Sequence, residues 1–263
     1  MGQVIAIISQ KGGVGKTSTA INLGAALSAI KRRVLLVGMD PQCGVAKSFG
    51  LEPPEVQAGL LDLVRDGASP DEVIYNSHYR LPRLDVLPAN VKTAAEEAGL
   101  VHLLQENRDY FYRSTEHIFA GYDYVFLDCP PRLDYPTTAA LNVATSYLVP
   151  IQCEYAAMAT VGRVLRAALD VKRRGNPMLG IFGFLLTLAD KRASFTVKVI
   201  QEVRQYLKDR VFKTIIPRDP HLAEVPKRRE PVIAYDMDCP GAKAYVALAR
   251  EILSMKTNEG LGG

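Results

Sequence analysis

The chain has 263 residues, 48% apolar and 23% charged, with a formal charge of +4. That length suits one α/β domain with a large core rather than two, and the composition excludes a disordered chain. The mild basic excess permits attraction to nucleic acid or an anionic surface without selecting either.

Short apolar runs rich in β-branched residues alternate with segments of helical period, the pattern of βα units on a parallel sheet. The first expected strand, Val4–Ile8, starts without the basic segment, long apolar core and cleavage site of a secretory leader. It leads into QKGGVGKTS (10–18) and then the helical AINLGAALSAI (20–30). Further strands are expected over Val34–Val37, Leu84–Leu87, Tyr124–Leu127, Tyr147–Ile151, Ile181–Thr187 and Phe212–Ile216. Between 51 and 82 the runs EPPE, DGASPDE and LPRL punctuate short helical pieces rather than a separate domain. Helical patterns cover Ser194–Lys208 and Ala242–Met255, the second placing Ala242, Tyr245, Ala249, Ile252 and Leu253 on one stripe that closes on the sheet.

The expected architecture is therefore one α/β domain over residues 1–263, with a mainly parallel twisted sheet flanked by helices on both faces. Ligands of such a sheet sit beyond the carboxyl ends of its strands. Cysteines 43, 129, 153 and 239 form no C-x-x-C pair and meet no histidine at zinc-finger spacing, so neither a zinc site nor a disulfide framework is expected. No window reaches the apolar length of a membrane span, and the C-terminal SMKTNEGLGG is too short and polar for a surface-binding amphipathic helix. A cytoplasmic protein with reduced thiols and no membrane attachment is expected.

The strand, glycine-rich loop and helix at 4–30 form the context of a phosphate loop. Glycines let consecutive backbone N–H groups turn onto an anion, and the following helix points its positive end at the same place. Lys16 would reach the β and γ phosphates of ATP, and the Thr17 hydroxyl would ligate Mg²⁺. The strict G-x-x-x-x-G-K-[ST] pattern fails by one position, its first glycine falling at Gln10. Lys11, taken alone, fits a surface lysine equally well. Asp128, at the tip of the strand YVFLD, suits the carboxylate that holds magnesium through water, and Asp40, in MDPQ, suits one that orients the attacking water. Either aspartate considered without the loop also fits a helix cap.

KGGVGKT with its additional lysine, then MDPQCG, LDCPP, IQCEY and IIPRDPHLAEVPKRREPVIAYDMDCPGAKAYVALA, resemble in order and spacing the ParA/Soj family of partitioning ATPases. The resemblance covers nearly the whole chain and implies a P-loop NTPase that sandwiches ATP in a homodimer. It also implies that the dimer binds double-stranded DNA without sequence preference, and that a ParB-type partner stimulates slow hydrolysis and release on the nucleoid. By the same resemblance Lys11 crosses to the other subunit's phosphates, while Lys16 serves its own, with Gly12, Gly13, Val14 and Gly15 between them. Thr17 and Asp128 match the magnesium site, Ser18 a phosphate contact, and Asp40 the hydrolytic residue. Asp190, Pro217 and Arg218 match the neighbourhood of the adenine.

The chain departs from the family at Gly38, where a carboxylate is usual, and at PPRLDYPT, which places Arg132 and Asp134 near nucleotide or a second subunit. Basic residues concentrate in the C-terminal half, including Lys191, and Lys198, Arg204, Lys208, Lys227, Arg228 and Arg229 are the candidates for DNA phosphate contacts. Each helix face alone is equally a solvated charged face. No helix-turn-helix precedes the phosphate loop, which matches the short form of the family. Two other functions fit the same scaffold: a MinD-like positioning ATPase for a membrane-associated or protein cargo, and a small-molecule synthetase of the dethiobiotin or cobyrinate type.

Overall fold

The computed structural model describes residues 2–51, 56–76, 81–106, 108–155, 157–190 and 192–259. Lys191 and the EPPE run at 52–55 lie outside the described residues. Eight strands form one sheet: β1 (Gln3–Ile7), β2 (Val34–Gly38), β3 (Tyr75–Asn76), β4 (Leu84–Leu87), β5 (Tyr124–Asp128), β6 (Ser146–Gln152), β7 (Gly180–Ala189) and β8 (Val211–Pro217). Their order is β3-β4-β2-β5-β1-β6-β7-β8. Every neighbouring pair is parallel except β3 with β4.

The seven strands expected from the sequence are present, with ends displaced by a few residues. The two-residue β3 has no sequence signal: it is held by antiparallel pairing of Tyr75 with Val86 and Asn76 with Asp85, and by the Asn76 amide donating to Asp85 at 2.9 Å. The last helix runs Pro240–Glu259, beyond the expected end at Met255, and the tail past it lies outside the described residues.

Alternation along the strands divides the core in two. Val4, Ala6 and Ile8 face one cluster, covered by helices that contribute Leu60, Leu100, Phe111, Ala140, Val164 and Val203. Ile5 and Ile7 face the other, covered by the helix Lys16–Ala29 and by Leu222 and Tyr245. The helix Lys16–Ala29 is apolar on most of its circumference because the sheet lies on one side and the helix Pro240–Glu259 on the other. Gly24 permits this close approach: a Cβ there would stand 2.8 Å from Leu36 Cδ2.

The chain passes from β1 to β2 on one side of β1, and from β5 to β6 across to the other side. β1 is thus the switch point where an open parallel sheet leaves a crevice at its carboxyl edge. Register brings Ile7, Gly38 and Asp128 level at that edge.

Candidate functional site: a nucleotide cavity at the switch point

The loop 10–15 leaves β1 at the crevice, and the helix beginning at Lys16 follows immediately. Gly13 and Gly15 turn the chain with φ of 72° and 90°, a region that costs other residues strain. A Cβ on Gly12 or Gly13 would meet nothing within 4 Å, so the loop faces open space. Its far side is anchored to β7 by the Thr187 hydroxyl, which donates to the Val14 carbonyl at 2.8 Å. The helix behind it is tied to the C-terminal third of the chain. Asn22 donates to the Ser18 carbonyl at 2.8 Å and accepts from the Val232 N–H at 2.9 Å, while Thr19 and Tyr245 hydroxyls lie 3.3 Å apart.

In front of the loop lies a cavity of about 600 Å³. It is lined by the loop residues Gly12, Gly13, Gly15, Lys16, Thr17 and Ser18, by Asp40 and Pro131, and by Thr187, Leu188, Arg218, Asp219, Pro220, Leu222 and Ala223. A lining that combines a glycine-lysine loop and a carboxylate with apolar side chains suits a charged group joined to a flat apolar one. Of the residues matched to the adenine end, Arg218 lines the cavity, whereas Asp190 and Pro217 do not. Asp190 instead accepts from the Arg192 N–H at 3.0 Å in a local turn. Thr187, Leu188, Leu222 and Tyr245 were not singled out as site residues by sequence; none belongs to a motif that marks a ligand.

Lys16 is buried, and burial pulls its ammonium below the ordinary value, opposed by Asp128, Cys129 and Asp40. Its Nζ donates to the Lys11 carbonyl at 3.3 Å. Asp128 is buried at the tip of β5 and accepts from the Thr17 hydroxyl at 2.7 Å. Burial pushes its carboxyl up to about 7, against the Thr17 hydrogen bond and Lys16 and with the help of Asp40. Its other oxygen, Oδ1, is buried and has no hydrogen-bond partner. An orphaned carboxylate oxygen beside a hydroxyl is a donor set that a hard divalent cation takes, so these residues fit Mg²⁺. Held by Thr17 and Asp128, the ion would supply positive charge to the phosphates and lower the cost of the buried carboxylate.

Asp40 is half-buried, lines the cavity and accepts from the Gln42 N–H at 2.9 Å, a turn that fixes its carboxylate at the end of β2. Gly38, two residues earlier, stands in register with Asp128, and a Cβ there would come 3.3 Å from the Ala89 backbone nitrogen. The passing segment 88–89 thus leaves little room for the carboxylate usual in the family. Arg132 points away from the cavity into ion pairs with Asp134 at 3.0 Å and Glu97 at 3.4 Å.

Lys11 behaves differently from Lys16. It does not line the cavity; its ammonium pairs with Glu154, just past β6, and both side chains are about a third exposed. Glu154 lies in the quoted IQCEY run, which gave its position but not this contact.

A family described as "AAA domain" matches residues 2–181. The sporulation initiation inhibitor protein Soj of Bacillus subtilis is 40% identical over 252 residues, 96% of this chain and 98% of that one. The chain belongs to the ParA/Soj family. It is a P-loop ATPase with the α/β fold of the MinD/ParA class. Cobyrinic acid a,c-diamide synthase from Mycobacterium smegmatis, solved with an ATP analogue and magnesium, has a TM-score of 0.81 and 30% identity, covering 98% of this chain and 96% of that one. The septum site-determining protein MinD of Pyrococcus horikoshii, complexed with Mg-ADP, has a TM-score of 0.77 and 25% identity over 96% of each chain. Nucleotide with magnesium is thus held by other proteins of this fold.

The basic residues considered for DNA are all exposed, but they sit on helices packed against opposite faces of the sheet. Lys198, Arg204 and Lys208 belong to the helix Ser194–Leu207 and its end, over the first core cluster. Lys227, Arg228 and Arg229 belong to the end of Pro220–Arg228, over the second. Arg204 donates to the Lys213 carbonyl at 3.0 Å, and Arg228 pairs with Glu224 at 3.0 Å and lies 4.9 Å over the Tyr235 ring. Among the described residues no helix is long and apolar enough to cross a membrane.

Proposed function

We propose that the protein is a partitioning ATPase that closes two copies around ATP and Mg²⁺, binds duplex DNA nonspecifically as that dimer, and releases it after hydrolysis stimulated by a ParB-type partner. The observation that carries this reading is the position of Lys11. A lysine in the phosphate loop that does not line its own chain's cavity, yet stays near the loop in an ion pair with Glu154, is available to a triphosphate presented by another chain. Thr17 and Asp128 would hold Mg²⁺, Lys16 the phosphates, and Arg218 would border the base. Asp40 would orient the attacking water, since phosphoryl transfer needs positioning and charge compensation more than covalent chemistry. Asp190 and Pro217 do not line the cavity and are left without a direct nucleotide contact.

Nonspecific DNA binding follows from basic helix faces doubled by dimerisation, because phosphate contacts act together through counterion release. The test is a gel shift on unrelated duplexes at several salt concentrations, paired with sizing chromatography. Binding that requires Mg-ATP and disappears in Lys16→Ala supports the reading; equal binding without nucleotide overturns it. In Asp40→Ala, a trapped ATP dimer is expected, and normal turnover there would assign the water to another group.

A second reading, an ATP-dependent synthetase, is favoured by the 30% identity to the cobyrinic acid a,c-diamide synthase structure. It leaves Lys11 and the basic helices without a task. ATP turnover that depends on a small carboxylic acid rather than on DNA and a protein partner would favour it.

A further inference from the structure

Three side chains of metal-ligating type, from two segments distant in sequence, converge beside the nucleotide cavity, of whose lining Asp219 is part. Asp219 caps the helix Pro220–Arg228 that follows β8, His221 lies in its first turn, and Cys239 immediately precedes the helix Pro240–Glu259. One ligand atom from each lies within 4.8 Å of the other two. Asp219 and Cys239 are buried, and His221 is half-exposed.

Each member is held by the backbone. Asp219 accepts from the Gly241 N–H at 2.7 Å and the His221 N–H at 3.0 Å, and Cys239 Sγ accepts from the Ala242 N–H at 3.3 Å. The Tyr235 hydroxyl donates to the His221 carbonyl. The imidazole lies between two carboxylates, Nδ1 hydrogen-bonded to Asp219 Oδ1 at 2.8 Å and Nε2 lying 3.4 Å from Asp236 Oδ2. The other oxygen of Asp236 accepts the N–H groups of Asp238 and Cys239 at 3.0 and 3.1 Å, so the same carboxylate orients the ring and positions the cysteine.

We propose that Asp219, His221 and Cys239 form a binding site for a zinc-class transition metal ion on the wall of the nucleotide cavity. An oxygen, a nitrogen and a sulfur ligand with a fourth position open to water is a set that Zn²⁺ accepts, whereas the sulfur disfavours Mg²⁺ and Ca²⁺. A second carboxylate on the remote ring nitrogen is the usual support of a metal-bound imidazole, and Asp236 occupies that place. Tetrahedral bonds of about 2.0–2.3 Å set ligand atoms roughly 3.3–3.8 Å apart, so separations that lie within 4.8 Å need close by no more than about 1 Å, within reach of side-chain rotation. On binding, the Cys239 thiol gives up its proton and the imidazole enters neutral. The ion would tie the turn that carries the cavity residues Arg218, Pro220 and Leu222 to the start of the closing helix, stiffening that wall. Sequence spacing concealed the set: D-x-H followed eighteen residues later by one cysteine matches no zinc-finger pattern, and only the packing of the last helix onto β8 joins them.

The experiment is titration of the chelator-stripped protein with Zn²⁺ against a chromophoric competitor, and with Co²⁺ read by its thiolate charge-transfer band. Expected are one ion per chain, the Co²⁺ band, and no displacement by excess Mg²⁺. Cys239→Ser, which keeps an acceptor for the Ala242 N–H, should abolish the band and weaken Zn²⁺ by about 100-fold, and His221→Ala should weaken Zn²⁺ about as much. Cys43→Ser, remote from the cluster, should change neither. Circular dichroism and the zinc-free melting temperature establish that each variant folds, and zinc should raise the melting temperature of the unsubstituted chain but not of Cys239→Ser. Absence of binding at micromolar Zn²⁺, or binding that persists unchanged in both cluster variants, overturns the proposal.

Discussion

Lys11 and Lys16 stand five residues apart in one loop and occupy opposite environments. Lys16 is 7% exposed, at the first position of a helix, with Asp128 and Asp40 supplying negative potential. The Lys11 side chain is 39% exposed, precedes the glycines and is paired with Glu154 outside the cavity. Identical side chains thus acquire different surroundings from the backbone around them: the helix start directs one inward, and the turn before it leaves the other outside the cavity lining. Four measurements test whether the two lysines differ in function as they do in surroundings.

The largest effect is expected for Lys16→Ala. Loss of one charge-assisted phosphate contact of about 3 kcal/mol should weaken ATP roughly 100-fold, measured by calorimetry on the monomer. Lys11→Ala should bind ATP as a monomer within about 2-fold of the unsubstituted chain, a surface-type effect, while losing the ATP-dependent dimer in sedimentation. If both variants lose monomeric ATP binding equally, the division of labour fails.

The third measurement concerns Asp128, whose carboxyl is raised to about 7 by burial. In the unfolded chain it titrates near 4, so the folded state holds the extra proton, and stability of the nucleotide-free protein declines as pH rises from about 4 to about 7. Magnesium needs the ionised form, so Mg-ATP should bind about 5- to 10-fold more tightly at pH 8 than at pH 6, with the difference absent in Asp128→Asn. A flat profile in the unsubstituted chain would remove Asp128 from the metal site.

The smallest effect is expected for Glu154→Gln. The Lys11 pair is partly exposed, so releasing Lys11 should promote the ATP dimer only about 2- to 5-fold, and less at high salt. Unchanged dimerisation would mean that the pair does not restrain Lys11.

Much of the fold was legible because parallel strands buried on both faces read as unbroken apolar runs, as in Val34–Val37 and Tyr124–Leu127. β3 was not, since two residues with one polar side chain carry no periodicity and owe their conformation to β4. In the candidate site, glycine and lysine spacing pointed to the phosphate loop and strand-end position to Asp40 and Asp128, which the fold brings to the carboxyl edge of the sheet beside that loop. Glu154, Thr187 and Tyr245 were not identified as site residues, because each acts through a contact more than 140 residues away in the chain.

The sequence by itself determined the alternation of strands and helices, the place of the nucleotide loop and the family. These depend on local conformational demands and on burial patterns that one stretch of chain displays alone. Only the tertiary structure decided that Lys16 is buried while Lys11 is held by Glu154, that the basic helices lie over opposite faces of the sheet, and that Asp219, His221 and Cys239 meet. Those are facts of strand order and helix packing, and the energy of a charge or a ligand set depends on neighbours that the linear order does not reveal.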